Sequence, residues 1–285
     1  MRRFFLAAAM LLASTVVNAQ HAVTFKLKFL PKHTYTVMST TQVNSKINSP
    51  GKGSSTPKNN QNQGFENKGT FLMTYVIKTG QANAVGSFPF TVTVTNFTTK
   101  NIVNGVEQNM PSKNSIVGST TRGLCMANGK MHVDAINVPG IDANTQKVVT
   151  SMVNKFGDEI NFPDKPMKIG ESFTQEKPFS IGNGGQNIGI KTTIVYTLRA
   201  IRANLAYFDT KEAIVMDVAA QKSNGKSSLQ TTGNGKGTMT YDIANNFAVT
   251  KADNVSTQIA MQMGTTEMAV NANSVVSYNA KIAAN

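Results

Sequence analysis

The stretch Thr74–Val85, "TYVIKTGQANAV", contains the pattern that decides the fold class of this chain. Tyr75 and Ile77, together with the preceding Met73, place large side chains at every second position. Successive side chains of a β-strand point to opposite faces, so these three residues would share one face of a sheet. The following Ala82-Asn83 belongs to a turn-forming segment. The stretch therefore predicts a β-strand that ends in a turn.

A second stretch, Val195–Ala206, repeats this layout as "VYTLRAIRANLA". Tyr196 and Leu198 alternate in the same phase as their counterparts, and another Ala-Asn pair follows. The likeness predicts two related β units, 21–139 and 167–285. The alternative is a chance likeness, because antiparallel strands resemble one another through the pleat alone. Beyond the turn the apolar positions of the two copies differ in phase, which requires an inserted or bulged residue in one strand.

The rest of the chain reads mainly as strands, with two exceptions. Val23–Leu30, "VTFKLKFL", alternates apolar with polar residues and predicts a strand with one dry face. Residues 45–69 are rich in Gly, Pro, Asn and Ser, and predict a long mobile loop. Residues near 142–156 carry apolar side chains at helical spacing and predict one central helix. We expect one mainly antiparallel all-β domain, 20–285, built as a curved sheet, a half-barrel or a two-sheet sandwich.

The N-terminal residues 1–19 have the organisation of a signal peptide. A pair of arginines precedes the apolar run Phe4–Val17, and a small-residue motif ends at Ala19. The apolar run is shorter than the roughly 20 residues that span a bilayer. We expect cleavage near Ala19, a periplasmic or secreted protein, and no membrane span in the mature chain.

The charge balance of the chain is basic. Lys and Arg number 28 against 15 Asp and Glu, which gives a formal net charge of +13. Such an excess attracts anionic surfaces of the envelope, such as lipid head groups, although it also maintains solubility by itself. We predict no nucleic-acid partner, because an exported chain seldom meets nucleic acid.

No residue pattern identifies a catalytic, cofactor-binding or metal-binding site. The single cysteine, Cys125, lies in an apolar context and is expected to be a small buried side chain. His132 and Asp134 would share the polar face of a strand, and two ligands do not make a zinc site. The acidic segment Gly157–Asp164 lacks the ligand spacing of a calcium loop. Gly182–Gly189 joins strand to strand and is no phosphate-binding loop. We therefore expect neither an enzyme nor a cofactor.

The segment Phe162–Phe173, "FPDKPMKIGESF", resembles a connector found in uncharacterised exported β-rich proteins of Gram-negative bacteria. In that family a P-x-K-P-V-x-V-G-D-S-W connector precedes a run that ends in Y-T-L, which here is Tyr196–Leu198. The present chain departs from the pattern at Met167, Glu171 and Phe173. The resemblance implies an exported β-protein and no particular reaction.

These observations favour a soluble exported protein that binds or carries a ligand of the cell envelope. The ligand would be a lipid or another hydrophobic molecule, or an anionic one. Two alternatives stay open at this point, namely a structural or interaction protein of the envelope and an outer-membrane β-barrel. The alternation of long strands is compatible with both.

Overall fold

A computed structural model describes residues 22–48, 65–108, 116–137, 160–183, 186–219, 227–263 and 266–285. These residues form twelve β-strands and no helix. The strands are β1 (His33–Asn48), β2 (Phe65–Thr79), β3 (Phe88–Val103), β4 (Val106–Gln108), β5 (Thr120–Cys125), β6 (Met131–Asn137), β7 (Ser172–Asn183), β8 (Gln186–Arg202), β9 (Leu205–Ala219), β10 (Ser227–Asp242), β11 (Phe247–Met263) and β12 (Thr266–Ala284). The predicted all-β class is confirmed.

All twelve strands belong to one antiparallel sheet with the order β6-β5-β3-β2-β1-β12-β11-β10-β9-β8-β7, and β4 pairs with β3 outside this path. The strands β1–β6 form one meander and β7–β12 form another. Both run in the same direction along the sheet, and they join through the β1–β12 ladder, from His33↔Ala284 to Asn48↔Ala269. The strands of each meander fall within the predicted units 21–139 and 167–285, while their common origin stays a prediction.

The sheet is open and strongly curved. The described strands β6 and β7 lie at its two ends and do not pair with each other. Tyr75 on β2 and Lys177 on β7 nevertheless line the same cavity. Seven strand intervals separate β2 from β7, and a flat sheet would hold them about 34 Å apart at about 4.8 Å per interval. The sheet therefore bends around an inner, concave face.

The inner face is closed at one end by two packed clusters of side chains. One cluster contains Phe29, Tyr35, Val37, Tyr75, Ile77, Phe88, Phe90, Val92, Cys125, Met131, Phe247 and Ala280. The other contains Phe25, Ile160, Met167, Ile194, Tyr196, Leu198, Ala206, Phe208, Met239, Tyr241 and Ala248. Removing a large apolar side chain from water contributes about 1.5–3 kcal/mol, so these two clusters are the main stabilising feature of the described fold.

The N-terminal segment Ala22–Leu30 lies across both clusters. The Phe29 ring meets the Tyr35 ring edge-on with a centroid separation of 5.0 Å, and the Phe25 ring meets the Phe208 ring edge-on at 5.2 Å. This segment thus connects the two halves of the core with its aromatic side chains.

The prediction that Val23–Leu30 forms a strand is wrong. Its alternation does describe burial, because Phe25 and Phe29 are buried and Lys26 is exposed. Among the described residues it forms one isolated β-bridge, from Val23 to Met167, and a further backbone hydrogen bond from the Lys28 N–H to the Asn246 carbonyl at 3.0 Å. Tyrosine hydroxyls take the place of a ladder. The Leu30 N–H donates to Tyr35 Oη at 2.7 Å, and the Tyr241 hydroxyl donates to the Lys26 carbonyl.

The predicted loop over residues 45–69 is wrong at both ends. The β1–β2 ladder continues to the pair Ile47↔Phe65, and β1 also pairs with β12 through Ile47↔Val270. Backbone hydrogen bonds on both sides hold these polar residues in strands, although their composition favours a loop. Residues 49–64 between them lie outside the described ranges.

Two further predictions fall outside the described residues, namely the signal peptide 1–19 and the helix near 142–156.

The structure explains why the apolar positions of the two copies differ in phase beyond the turn. Gly80–Ser87 separates β2 from β3, whereas only Ala203-Asn204 separates β8 from β9. Each of these hairpins also contains a bulge, at Thr74/Tyr75 and at Leu198/Ala200.

Candidate functional site

The candidate site is a cavity of about 170 Å³ on the inner face, at mid-strand. It lies where the packed clusters end. Its walls combine apolar side chains with hydroxyl and ammonium groups, and they come from strands of both meanders. The lining residues are Ser39, Met73, Tyr75, Ile160, Lys177, Tyr196, Ala248, Lys251, Val276 and Tyr278.

Lys251, on the wall of this cavity, belongs to a buried polar cluster. Its Nζ lies 2.8 Å from Asp253 Oδ2 and 3.8 Å from Glu212 Oε1. The Thr210 hydroxyl donates to Asp253 Oδ1 at 2.8 Å, so both carboxylate oxygens of Asp253 have partners. Asp253 is only 3% exposed. A carboxylate buried this deeply needs such partners, because an unpaired buried charge is very unfavourable.

The environment of the cluster shifts the pKa values of two of its members. Burial lowers the pKa of Lys251, but the charge and hydrogen bond of Asp253, together with the charges of Tyr196 and Glu212, raise it, and the net shift is upward. Lys251 is therefore charged at neutral pH. Burial raises the pKa of Glu212, and Lys251 offsets only part of that increase. The cluster thus pairs a fixed cation with a carboxyl that takes up a proton more readily than an ordinary glutamate.

Three glycines on β10 create the space for this cluster. Gly233, Gly235 and Gly237 occupy alternate positions, so they share the inner face. A Cβ on Gly237 would overlap Asp253 Oδ1 and would lie 2.8 Å from Thr210 Oγ1. The bare backbone of β10 lets side chains from β9 and β11 meet above it. This site was not predicted from the sequence, although the glycines at every second position of Gly233–Gly237, "GNGKG", are a usable signal.

Beyond the cavity, the inner face continues on the four central strands as a surface of apolar side chains interspersed with Thr41, Ser45, Asn67, Thr257 and Ser274. We call this surface the distal inner face. Its apolar residues are Val43, Ile47, Phe65, Phe71, Val255, Ile259, Val270 and Val276. Unlike the core clusters, these side chains are half-buried or exposed, and Phe65 and Phe71 are 40% and 42% exposed. The outer face of the same strands is mainly polar, with Gln42, Asn44, Lys46, Gln258, Asn271 and Asn273.

The residues considered from sequence lie away from this cavity. His132 Nε2 lies 3.7 Å from Asp134 Oδ1, and both side chains are largely exposed on the outer face of the edge strand β6. Cys125 is buried as expected, and burial raises its pKa to about 12. Asp164 is exposed, and the rest of that acidic segment up to Glu159 lies outside the described residues. Within the described ranges, no group of three or more His, Cys, Asp or Glu side chains could hold a metal ion.

The connector segment Phe162–Phe173 packs over the second core cluster. Phe173 stacks on Tyr196 with ring centroids 4.8 Å apart, and Phe162 contacts Phe25 at 5.4 Å. The backbone of the connector binds β8, because the Gly170 N–H donates to the Leu198 carbonyl at 2.7 Å. This segment therefore closes the inner face beside the cavity.

No family model matches this chain, and a search of curated proteins finds no match either. In the part of the chain that the structure describes, no helix is both long and apolar enough to cross a membrane.

Proposed function

We propose that this protein is an exported binding or carrier protein that holds a hydrophobic ligand on the inner face of its sheet. The observation that carries the proposal is the distal inner face, a partly exposed surface with two exposed phenylalanine rings that adjoins a cavity. Soluble proteins bury most such surface, and a contiguous exposed patch typically marks a binding site. The signal-peptide pattern of residues 1–19 supports export.

Removal of the exposed rings of this face from water favours the binding of a hydrocarbon chain. Each methylene group transferred from water to an apolar site contributes about 0.8 kcal/mol. Phe71 and Phe65 keep about two fifths of their surface exposed in the absence of ligand. A hydrocarbon chain laid along these rings would remove both partners from water. The concave form of the sheet increases the contact area beyond that of a flat surface.

A titration with Nile red, a neutral hydrophobic dye, tests the proposal. We expect the purified protein to bind the dye with increased fluorescence, and Phe71→Asp to weaken binding by at least about ten-fold, because a carboxylate on an apolar contact surface is unfavourable. The matched control is Met38→Asp. Met38 is 48% exposed but lies on the outer face of β1, so this change should alter binding by less than about two-fold.

Two results would contradict the proposal. One is the absence of dye binding by the wild-type protein. The other is an equal loss of binding in both variants, which would mean that the dye does not distinguish the inner face from the outer face. Circular dichroism of each variant checks that the strand content is unchanged.

A further inference from the structure

We infer that the cavity beside Lys251 is a head-group site for the carboxylate of a single acyl chain, with the hydrocarbon tail of that chain on the distal inner face. The inference rests on the proposed function and names the class of ligand. Three features of the structure support it: the size of the cavity, the charge of its lining, and its continuity with the apolar surface.

The size of the cavity favours a head group over a whole ligand. Its volume of about 170 Å³ is well below the roughly 300 Å³ at which pockets for whole drug-sized ligands begin. A carboxylate with its first methylene groups fits such a space, whereas a complete fatty acid does not. The remainder of the ligand must therefore lie outside the cavity.

The charge of the lining favours an anion. The two charged residues in the cavity wall are Lys177 and Lys251. Asp253 and Glu212, the carboxylates closest to Lys251, are not among the lining residues, and both oxygens of Asp253 already have partners. The Lys251 ammonium group, which has three donors, lies 2.8 Å from one Asp253 oxygen and also lines the cavity, where we expect it to bind a ligand oxygen. Hydroxyl groups such as that of Ser39 supply further donors.

The cavity adjoins the distal inner face through Val276. Val276 lines the cavity and pairs through the β1–β12 ladder with Thr41, and Thr41 in turn pairs with Phe71 on β2. Phe71 and Val276 thus lie in one row across the inner face. A chain that leaves the cavity passes over this row toward Ile47 and Phe65.

Displacement of Nile red from the wild-type protein by ligands of equal chain length tests the inference. The ligands are dodecanoate, its methyl ester and dodecyltrimethylammonium. We expect dodecanoate to bind about ten-fold to hundred-fold more tightly than the ester, which is the range for a hydrogen bond to a charged group. The cationic ligand should bind more weakly than the ester. Acetate, which has the head group without the tail, should not compete with dodecanoate at equal concentration.

The double variant Lys251→Met/Asp253→Asn assigns the effect to the cluster. It removes one cation and one anion together, so the net charge of the cluster is unchanged, and Glu212, which loses Lys251, keeps the positive charge of Lys177 nearby. The new side-chain amide would keep an oxygen for the Thr210 hydroxyl. The preference for dodecanoate over the ester should fall toward one. Lys281→Met is the matched control, because Lys281 is exposed on the outer face of β12, and it should keep the full preference.

The outcomes separate the two proposals. Equal affinities for the three long-chain ligands, or a preference that survives in the double variant, would overturn the head-group site and leave the binding function intact. Competition by acetate as strong as that of dodecanoate would overturn the acyl-chain class. If no ligand displaces the dye and the dye itself does not bind, the binding function fails as well.

Discussion

The substitution Gly237→Ala tests the structure of the buried cluster most directly. The added Cβ would overlap Asp253 Oδ1 and the Ala252 carbonyl oxygen, and it would lie 2.8 Å from Thr210 Oγ1. The first two contacts are far inside van der Waals distance. A backbone atom is among them, so rotation of a side chain alone cannot relieve the overlap.

The expected destabilisation is about 3 kcal/mol. Overpacking by one methyl group costs about 1–3 kcal/mol. Displacement of the Asp253 carboxylate weakens its bond from Thr210, and a hydrogen bond to a charged group contributes about 1.5–3 kcal/mol. Against these losses, alanine is favoured over glycine inside a strand by about 0.5–1 kcal/mol. The losses exceed the gain over the whole of these ranges.

Urea denaturation followed by far-ultraviolet circular dichroism measures the effect, since the chain contains no tryptophan. Gly233→Ala is the matched control on the same face of the same strand. Its added Cβ would lie 3.0 Å from the Ser256 carbonyl oxygen, which a small shift relieves, so the loss should stay below about 1 kcal/mol. If Gly237→Ala and Gly233→Ala unfold at the same urea concentration, the packing of Asp253 over β10 is wrong.

Two further predictions concern titratable groups. The Cys125 thiol is buried, and its pKa is raised to about 12. It should therefore not react with Ellman's reagent in the folded protein at neutral pH, and it should react once per chain in urea. Rapid reaction without urea would contradict its burial. Glu212 has a raised pKa in the folded state, so the folded protein binds the Glu212 proton more tightly than the unfolded chain does. The resulting stabilisation of the fold is present below the ordinary glutamate pKa. It is lost as pH rises from that value through the raised pKa. Glu212→Gln should remove this part of the pH dependence, and the variant should gain stability relative to wild type toward neutral pH; urea midpoints that run parallel across the range would count against it.

The local pattern of the sequence determined which side chains face inward. Tyr75 and Ile77, and their counterparts Tyr196 and Leu198, are all buried on the inner face, as the alternation predicts. Alternation also described the burial of Phe25 and Phe29 correctly. The reason is that the pleat of an extended chain assigns every second side chain to the same face, whatever its neighbours are.

The local sequence pattern predicted the pairing of strands less well than it predicted the burial of side chains. The alternating segment Val23–Leu30 lies across the core without joining the ladder, and the polar ends of residues 45–69 do join it. In both cases the outcome depends on which groups form hydrogen bonds with the backbone of the segment. For Val23–Leu30 these groups include the hydroxyls of Tyr35 and Tyr241, and for the ends of residues 45–69 they belong to the neighbouring strands. The composition of a segment does not reveal either.

The sequence by itself determined the all-β class and the division of side chains between the two faces. Only the tertiary structure decided that Lys177 on β7, Lys251 on β11 and Tyr75 on β2 line one cavity. Period two sets the face on which a residue lies, but it carries no information about curvature. Curvature accumulates from the small rotation between each pair of strands, so residues seven intervals apart along the sheet meet only after every ladder between them has formed.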